Sequence, residues 1–88
     1  MNLKNLENCF INANKQNKKY VGVLIGMYGF DYPEIIINPN ENFNKKLDYY
    51  KNAYNYNLTL KNAPDKIKII GFSYGDTLKD IENDLVKK

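Results

Sequence analysis

The run Tyr20-Val21-Gly22-Val23-Leu24-Ile25-Gly26-Met27-Tyr28 constrains the fold of this chain more than any other stretch. It is dense in β-branched and aromatic residues and reads as a strand. Gly29-Phe30-Asp31-Tyr32-Pro33 follows as a turn, and Glu34-Ile35-Ile36-Ile37 as a second strand. Together they form a hairpin with a wide aromatic loop. A third strand is expected over Lys66-Ile67-Lys68-Ile69-Ile70-Gly71-Phe72-Ser73-Tyr74. The first strand is the longest and most apolar, which places it in the middle of the sheet. A right-handed crossover from the second strand to the third then gives the order 2-1-3.

Helical spacing fills the intervals. Leu3, Leu6, Phe10 and Ala13 share one face of a helix over residues 3–14, with Asn2 as its N-cap. Asn38-Pro39-Asn40-Glu41 is a helix-start signature, with Asn38 capping and Pro39 at the first helical position. The helix behind it buries Phe43, Leu47, Tyr50 and Tyr54. Residues 57–61 alternate weakly and can form a short edge strand beside the third. A last helix starts at Asp76 or Thr77, where Thr77 and Asp80 make a capping-box pattern, and its apolar stripe is Leu78, Ile81 and Leu85. Lys87 and Lys88 at its end suit the helix dipole. The predicted order is α-β-β-α-β-α: an α+β domain with a three-stranded, mainly antiparallel sheet packed against helices.

With 88 residues the chain has room for one domain, spanning 1–88. No apolar run approaches the roughly 18 residues of a membrane span. The first residues lack a long apolar core, so no secretory signal is expected and the location is read as cytoplasmic. There is no His, which removes the usual general base and the commonest metal ligand. Cys9 is the lone cysteine, too few for a disulfide framework or a thiolate zinc site. No metal or cofactor is expected. Asn, Lys, Ile and Tyr dominate the composition and there is no Arg. These are residues of A/T-rich codons, so the many Asn residues are read as codon bias rather than function.

Several local patterns invite a chemical reading. Gly71-Phe72-Ser73-Tyr74-Gly75 matches the nucleophile-elbow pattern G-x-S-x-G. Without His, Ser73 has no base to take its proton, and the glycines are read as serving a tight turn. Asp76, Asp80 and Asp84 make an i, i+4, i+8 row, either a solvated face or an acidic contact surface for a partner. A straight row with steps of about 6 Å does not converge on one metal ion. Cys9, beside Phe10, is read as a small buried hydrophobe.

Two surfaces remain. Residues 45–68 hold six Lys against two acids, interleaved with tyrosines. Lys45, Lys46, Tyr49, Lys51 and Tyr56 are the candidates there for a nucleic-acid or nucleotide surface. Tyr28, Phe30, Asp31 and Tyr32 lie in the hairpin loop. Its aromatics either fold over the end of the sheet or stand free as a binding tip for a protein partner.

The runs Tyr20-Val21-Gly22-Val23, Glu34-Ile35-Ile36-Ile37-Asn38-Pro39-Asn40-Glu41-Asn42-Phe43, Leu47-Asp48-Tyr49-Tyr50-Lys51 and Ile69-Ile70-Gly71-Phe72-Ser73-Tyr74-Gly75-Asp76 carry a further likeness. Their texture resembles small accessory proteins of phages and prophages of low-GC Gram-positive bacteria. The group has no defined activity, so the resemblance transfers no site residues. It implies a non-enzymatic protein that binds and blocks a host machine, such as a CRISPR effector or another defence protein. A nucleic-acid-binding module is the alternative.

A last expectation concerns self-association. In a 2-1-3 sheet the second and third strands are both edges. Lys66 and Lys68 guard the third, whereas only Glu34 guards the second. The 34–37 strand is therefore the place for a homodimer or for pairing with a partner's strand. Ile36→Pro is expected to delete a free edge donor.

Overall fold

A computed structural model describes residues 1–86. Lys87 and Lys88, assigned above to the end of the last helix, lie outside the described residues. The elements are α1 (Leu3–Lys15), β1 (Tyr20–Met27), β2 (Glu34–Pro39), a 3-10 turn (Asn40–Asn42), α2 (Phe43–Ala53), β3 (Ile67–Gly75) and α3 (Leu78–Val86). The sheet order is β2-β1-β3, and β1 is antiparallel to both neighbours. The α-β-β-α-β-α order and the central first strand are as the sequence predicts.

Strand alternation divides the core in two. Val21, Val23 and Ile25 point to one face of β1 and meet Leu6, Phe10 and Ala13 of α1 and Phe43 and Tyr50 of α2. Phe10 stands edge-on to Phe43, with ring centroids 5.5 Å apart. Gly22 and Gly71 open the opposite face to Ile81 and Leu85 of α3. A methyl group at Gly71 would touch Leu85 at 3.4 Å, and one at Gly75 would lie 3.1 Å from Asp80 Cβ. The sheet is thus sandwiched, with α1 and α2 on one side and α3 on the other.

Asparagine shapes several of these elements. Asn2 and Asn5 close a reciprocal capping box at the start of α1, at 3.0 and 2.9 Å. At its other end Asn17 takes the left-handed conformation (φ 55). Lys18 N–H then reaches Ala13 O at 2.9 Å and Asn17 N–H reaches Asn14 O at 3.2 Å, a Schellman stop. The N-cap role of Asn2 is as the sequence predicts; reading the other asparagines as codon bias missed Asn5 and Asn17.

Three sequence expectations are corrected. Asn38 does not cap α2: β2 runs on to Pro39, and Asn38 lies fully buried opposite Val21. Its side-chain amide donates to Val21 O at 3.0 Å and lies 3.5 Å from Tyr50 Oη. The ladder and these buried bonds outweigh the local capping signal, so the helix begins only after the 3-10 turn. Tyr54 is buried as expected but has left the helix, in extended conformation and bridged to Leu60. Leu78 is 54% exposed rather than part of the buried stripe; Ile81 and Leu85 carry the α3 contact.

The 57–61 segment does cover part of β3. Ile69 N–H donates to Leu58 O and Leu60 N–H to Ile67 O, each at 2.9 Å. No helix among the described residues is long and apolar enough to cross a membrane.

Candidate functional site

The hairpin tip is the most exposed aromatic surface of the molecule. Tyr28, Phe30 and Tyr32 are 81%, 68% and 84% exposed. Asp31 between them is exposed as well. The rings do not fold over the end of the sheet; they stand free of it.

The backbone of Tyr28 and Phe30 is nonetheless anchored. Phe30 N–H bonds to Met27 O at 3.1 Å, closing a turn. Gly29 sits at its third position with φ +88, the left-handed conformation that a type II turn demands there. Tyr28 N–H bonds to Lys66 O at 2.7 Å, fixing the tip to the start of β3. Large apolar rings on a fixed backbone lose little chain entropy on binding, which favours tight contact with a partner surface.

The acidic row breaks up in the structure. Asp76 precedes α3, because Thr77 caps that helix through a 3.0 Å bond from Asp80 N–H to Thr77 Oγ1. Asp76 turns instead towards the end of α1, 3.6 Å from Lys18 Nζ, and accepts from Lys19 N–H at 3.3 Å. Asp80 packs beside Gly75. Asp84 accepts a 2.7 Å bond from Ser73 Oγ. All three residues remain exposed, but two of the carboxylates are already engaged within the chain.

Ser73 is not at an elbow. The G-x-S-x-G stretch lies wholly within β3, with Ser73 opposite Gly22 in an antiparallel ladder that shifts register only beyond Gly71. Its glycines serve the approach of α3, so the tight turn expected between strand and helix does not fall there.

Sequence reasoning missed a groove of about 510 Å³ beside Ser73, between α1 and the outer edge of β3. Asn5, Asn8 and Asn12, at i, i+3 and i+7 on α1, form one wall, and Asp84 is the single charged lining group. That spacing, opposite the apolar stripe of α1, is the signal that could have found it. Cys9 also lines it, but burial pushes its thiol from 9.0 up to about 12, which keeps it protonated. The groove offers hydrogen bonds and the Asp84 carboxylate, already tied to Ser73, but no thiolate.

The lysine and tyrosine surface is partly occupied by its own members. Lys51 Nζ pairs with Glu7 at 3.1 Å. Lys46 Nζ lies over the rings of Tyr49 and Tyr50, 5.1 and 5.6 Å from their centroids. Tyr49 and Tyr56 are 49% and 64% exposed, and Lys45 is exposed without a salt bridge among the described residues. The described residues contain no cluster of His, Cys, Asp or Glu that could hold a metal ion.

Comparison with known proteins gives no match: no family model fits the chain, and no curated protein or solved structure is similar to it.

Proposed function

We propose that this is a non-enzymatic binding protein whose hairpin tip, Tyr28, Phe30, Asp31 and Tyr32, engages another protein. The observation that carries the proposal is the exposure of three aromatic rings at one hairpin tip, two of them, Tyr28 and Phe30, on a hydrogen-bonded turn. Aromatic side chains are enriched among the residues that dominate protein interfaces. The chain has no His, its thiol is buried, and Ser73 lies within a strand with its hydroxyl donated to Asp84 of α3, so the chemistry on hand favours binding over catalysis. The resemblance to phage and prophage accessory proteins supplies the class of partner: a host defence protein, of which CRISPR effectors are one kind, met in the bacterial cytoplasm. Asp80 adds an exposed carboxylate on a different element, away from the tip.

The test is affinity capture from a low-GC Gram-positive host. The wild-type chain is expected to retain one stoichiometric protein. A Tyr28→Ala, Phe30→Ala, Tyr32→Ala variant should release it, whereas a Tyr49→Ala, Tyr56→Ala variant should keep it. Equal retention by the tip variant would overturn the reading. So would capture of nucleic acid alone with steeply salt-dependent affinity, the signature of the Lys45–Tyr56 surface.

A further inference from the structure

The free edge of β2 has a hydrogen-bonding pattern that can be read residue by residue. Asn40 N–H bonds to Lys19 O at 2.8 Å, and the β1–β2 register continues to place Lys19 opposite Asn40. That pair is therefore a hydrogen-bonded one. Antiparallel ladders alternate hydrogen-bonded with non-hydrogen-bonded pairs. Asn38, Ile36 and Glu34 then direct their backbone groups inward to Val21, Val23 and Ile25, their register partners. Ile35, Ile37 and Pro39 direct theirs outward. Pro39 has no N–H to offer, which is the place a strand tolerates proline.

Among the described residues no hydrogen bond reaches the outward N–H and C=O groups of Ile35 and Ile37. The other edge is better protected. Leu58 and Leu60 cover Ile69 and Ile67 of β3, and α1 flanks its remaining part across the asparagine-lined groove.

From this we infer that β2 pairs antiparallel with β2 of a second copy, across a two-fold axis at Ile36. In that register Ile35 of one copy lies opposite Ile37 of the other. Each of these residues both donates and accepts, so every outward N–H on the strand is used. Pro39 falls opposite Pro33 of the mate, so the two residues that cannot donate face each other and no acceptor is left waiting for them. Centring the axis on Ile35 would set Pro33 against Ile37; centring it on Ile37 would set Pro39 against Ile35. Either shift leaves a carbonyl without its donor. The charges agree with the same register. Glu34, the strand's one charged residue, meets the neutral Asn38, and the two Glu34 side chains stand apart by about four residues, roughly 14 Å.

The result is a continuous sheet in the order β3-β1-β2-β2-β1-β3. The two-fold symmetry makes the contact self-closing, so it stops at a dimer. The inference is independent of the hairpin-tip reading. It also corrects the expected effect of Ile36→Pro: the Ile36 N–H points into the β1 ladder, so that substitution damages the fold rather than the edge.

Sedimentation of the full chain at micromolar concentration is expected to show a species of twice the 10.3 kDa chain mass. A single species at the chain mass overturns the inference. Ile36→Cys tests the register: Ile36 and its mate form a non-hydrogen-bonded pair, with Cα atoms about 4.5 Å apart, within the span a disulfide bridges. Mild oxidation should link Ile36→Cys into dimers but leave Ile35→Cys unlinked, with the wild type and its buried Cys9 as the blank. Linking of Ile35→Cys as readily as Ile36→Cys overturns the register. Ile37→Pro removes one outward donor and should give a monomer with an unchanged circular dichroism spectrum. A folded Ile37→Pro dimer counts against the model, and if that variant unfolds, the cysteine pair decides.

Discussion

Ile81 of α3 lies directly against the backbone of β1 at Gly22, so close that any side chain at position 22 would collide with its Cγ2 methyl. Leu85 and Ile35 complete the wall around the same spot, at 3.5 and 3.6 Å. This contact seats α3 on the sheet, and Ile81 is fully buried by it. Gly22→Ala is therefore expected to destabilise the fold by about 1–3 kcal/mol through overpacking. Chemical denaturation checks it. Combining the change with Ile81→Ala should cost less than the two single changes added together, because the second makes room for the first. Strict additivity would mean that α3 adjusts freely.

Ser73 and Asp84 join β3 to α3 by a single side-chain bond of 2.7 Å at a partly exposed position. Ser73→Ala is expected to cost about 0.5–1.5 kcal/mol, the net worth of such a bond. Capture of the partner through the hairpin tip should be unaffected. A folded Ser73→Ala protein that has lost its function would return Ser73 to consideration as a chemical group.

The sheet order was legible because Tyr20–Met27 is apolar on both of its faces, and only a central strand covered from both sides uses such a sequence. Helices α1 and α2 were legible from spacing. What stayed hidden depended on pairing between distant residues. Asn38-Pro39 carries a strong local helix-start signal, yet Val21 and Tyr50, remote in sequence, hold Asn38 in the sheet. Gly71-Phe72-Ser73-Tyr74-Gly75 carries an elbow pattern, yet pairing with β1 keeps it extended. The aromatic tip could be named from sequence, but not the direction its rings take. The groove beside α1 required the approach of β3 and α3 to exist at all.

Because the three tip aromatics contact water rather than the core, truncating them should leave the fold intact. Tyr28→Ala, Phe30→Ala and Tyr32→Ala are each expected to change stability by no more than about 0.5 kcal/mol, as for other exposed positions. Gly29→Ala should cost more despite adding only a methyl, since its φ of +88 disfavours every L side chain. The penalty is about 1–2 kcal/mol. Thermal unfolding of the four variants separates the cases. A large loss in any aromatic variant would place that ring in a packed environment and weaken its role as a free contact.

Alkaline pH should loosen the main core. Burial pushes the Cys9 thiol from 9.0 up to about 12, and the Tyr50 phenol, against the smaller opposing effect of Asn38, from 10.0 up to about 12. Below pH 9 both groups hold their protons in the folded and unfolded chains alike, and neither makes stability depend on pH. Between pH 9 and 12 the unfolded chain releases protons that the folded chain retains. The unfolded state then binds fewer protons, so stability falls as pH rises through this window. Each group contributes at most about 1.4 kcal/mol per pH unit. Urea unfolding at about pH 8 and about pH 11 measures the loss. Cys9→Ala should flatten the decline from its lower end, and Tyr50→Phe from about one unit higher. A Cys9→Ala variant that loses stability with the wild-type slope would show that the thiol ionises freely in the folded protein, and would remove it from the buried core of α1.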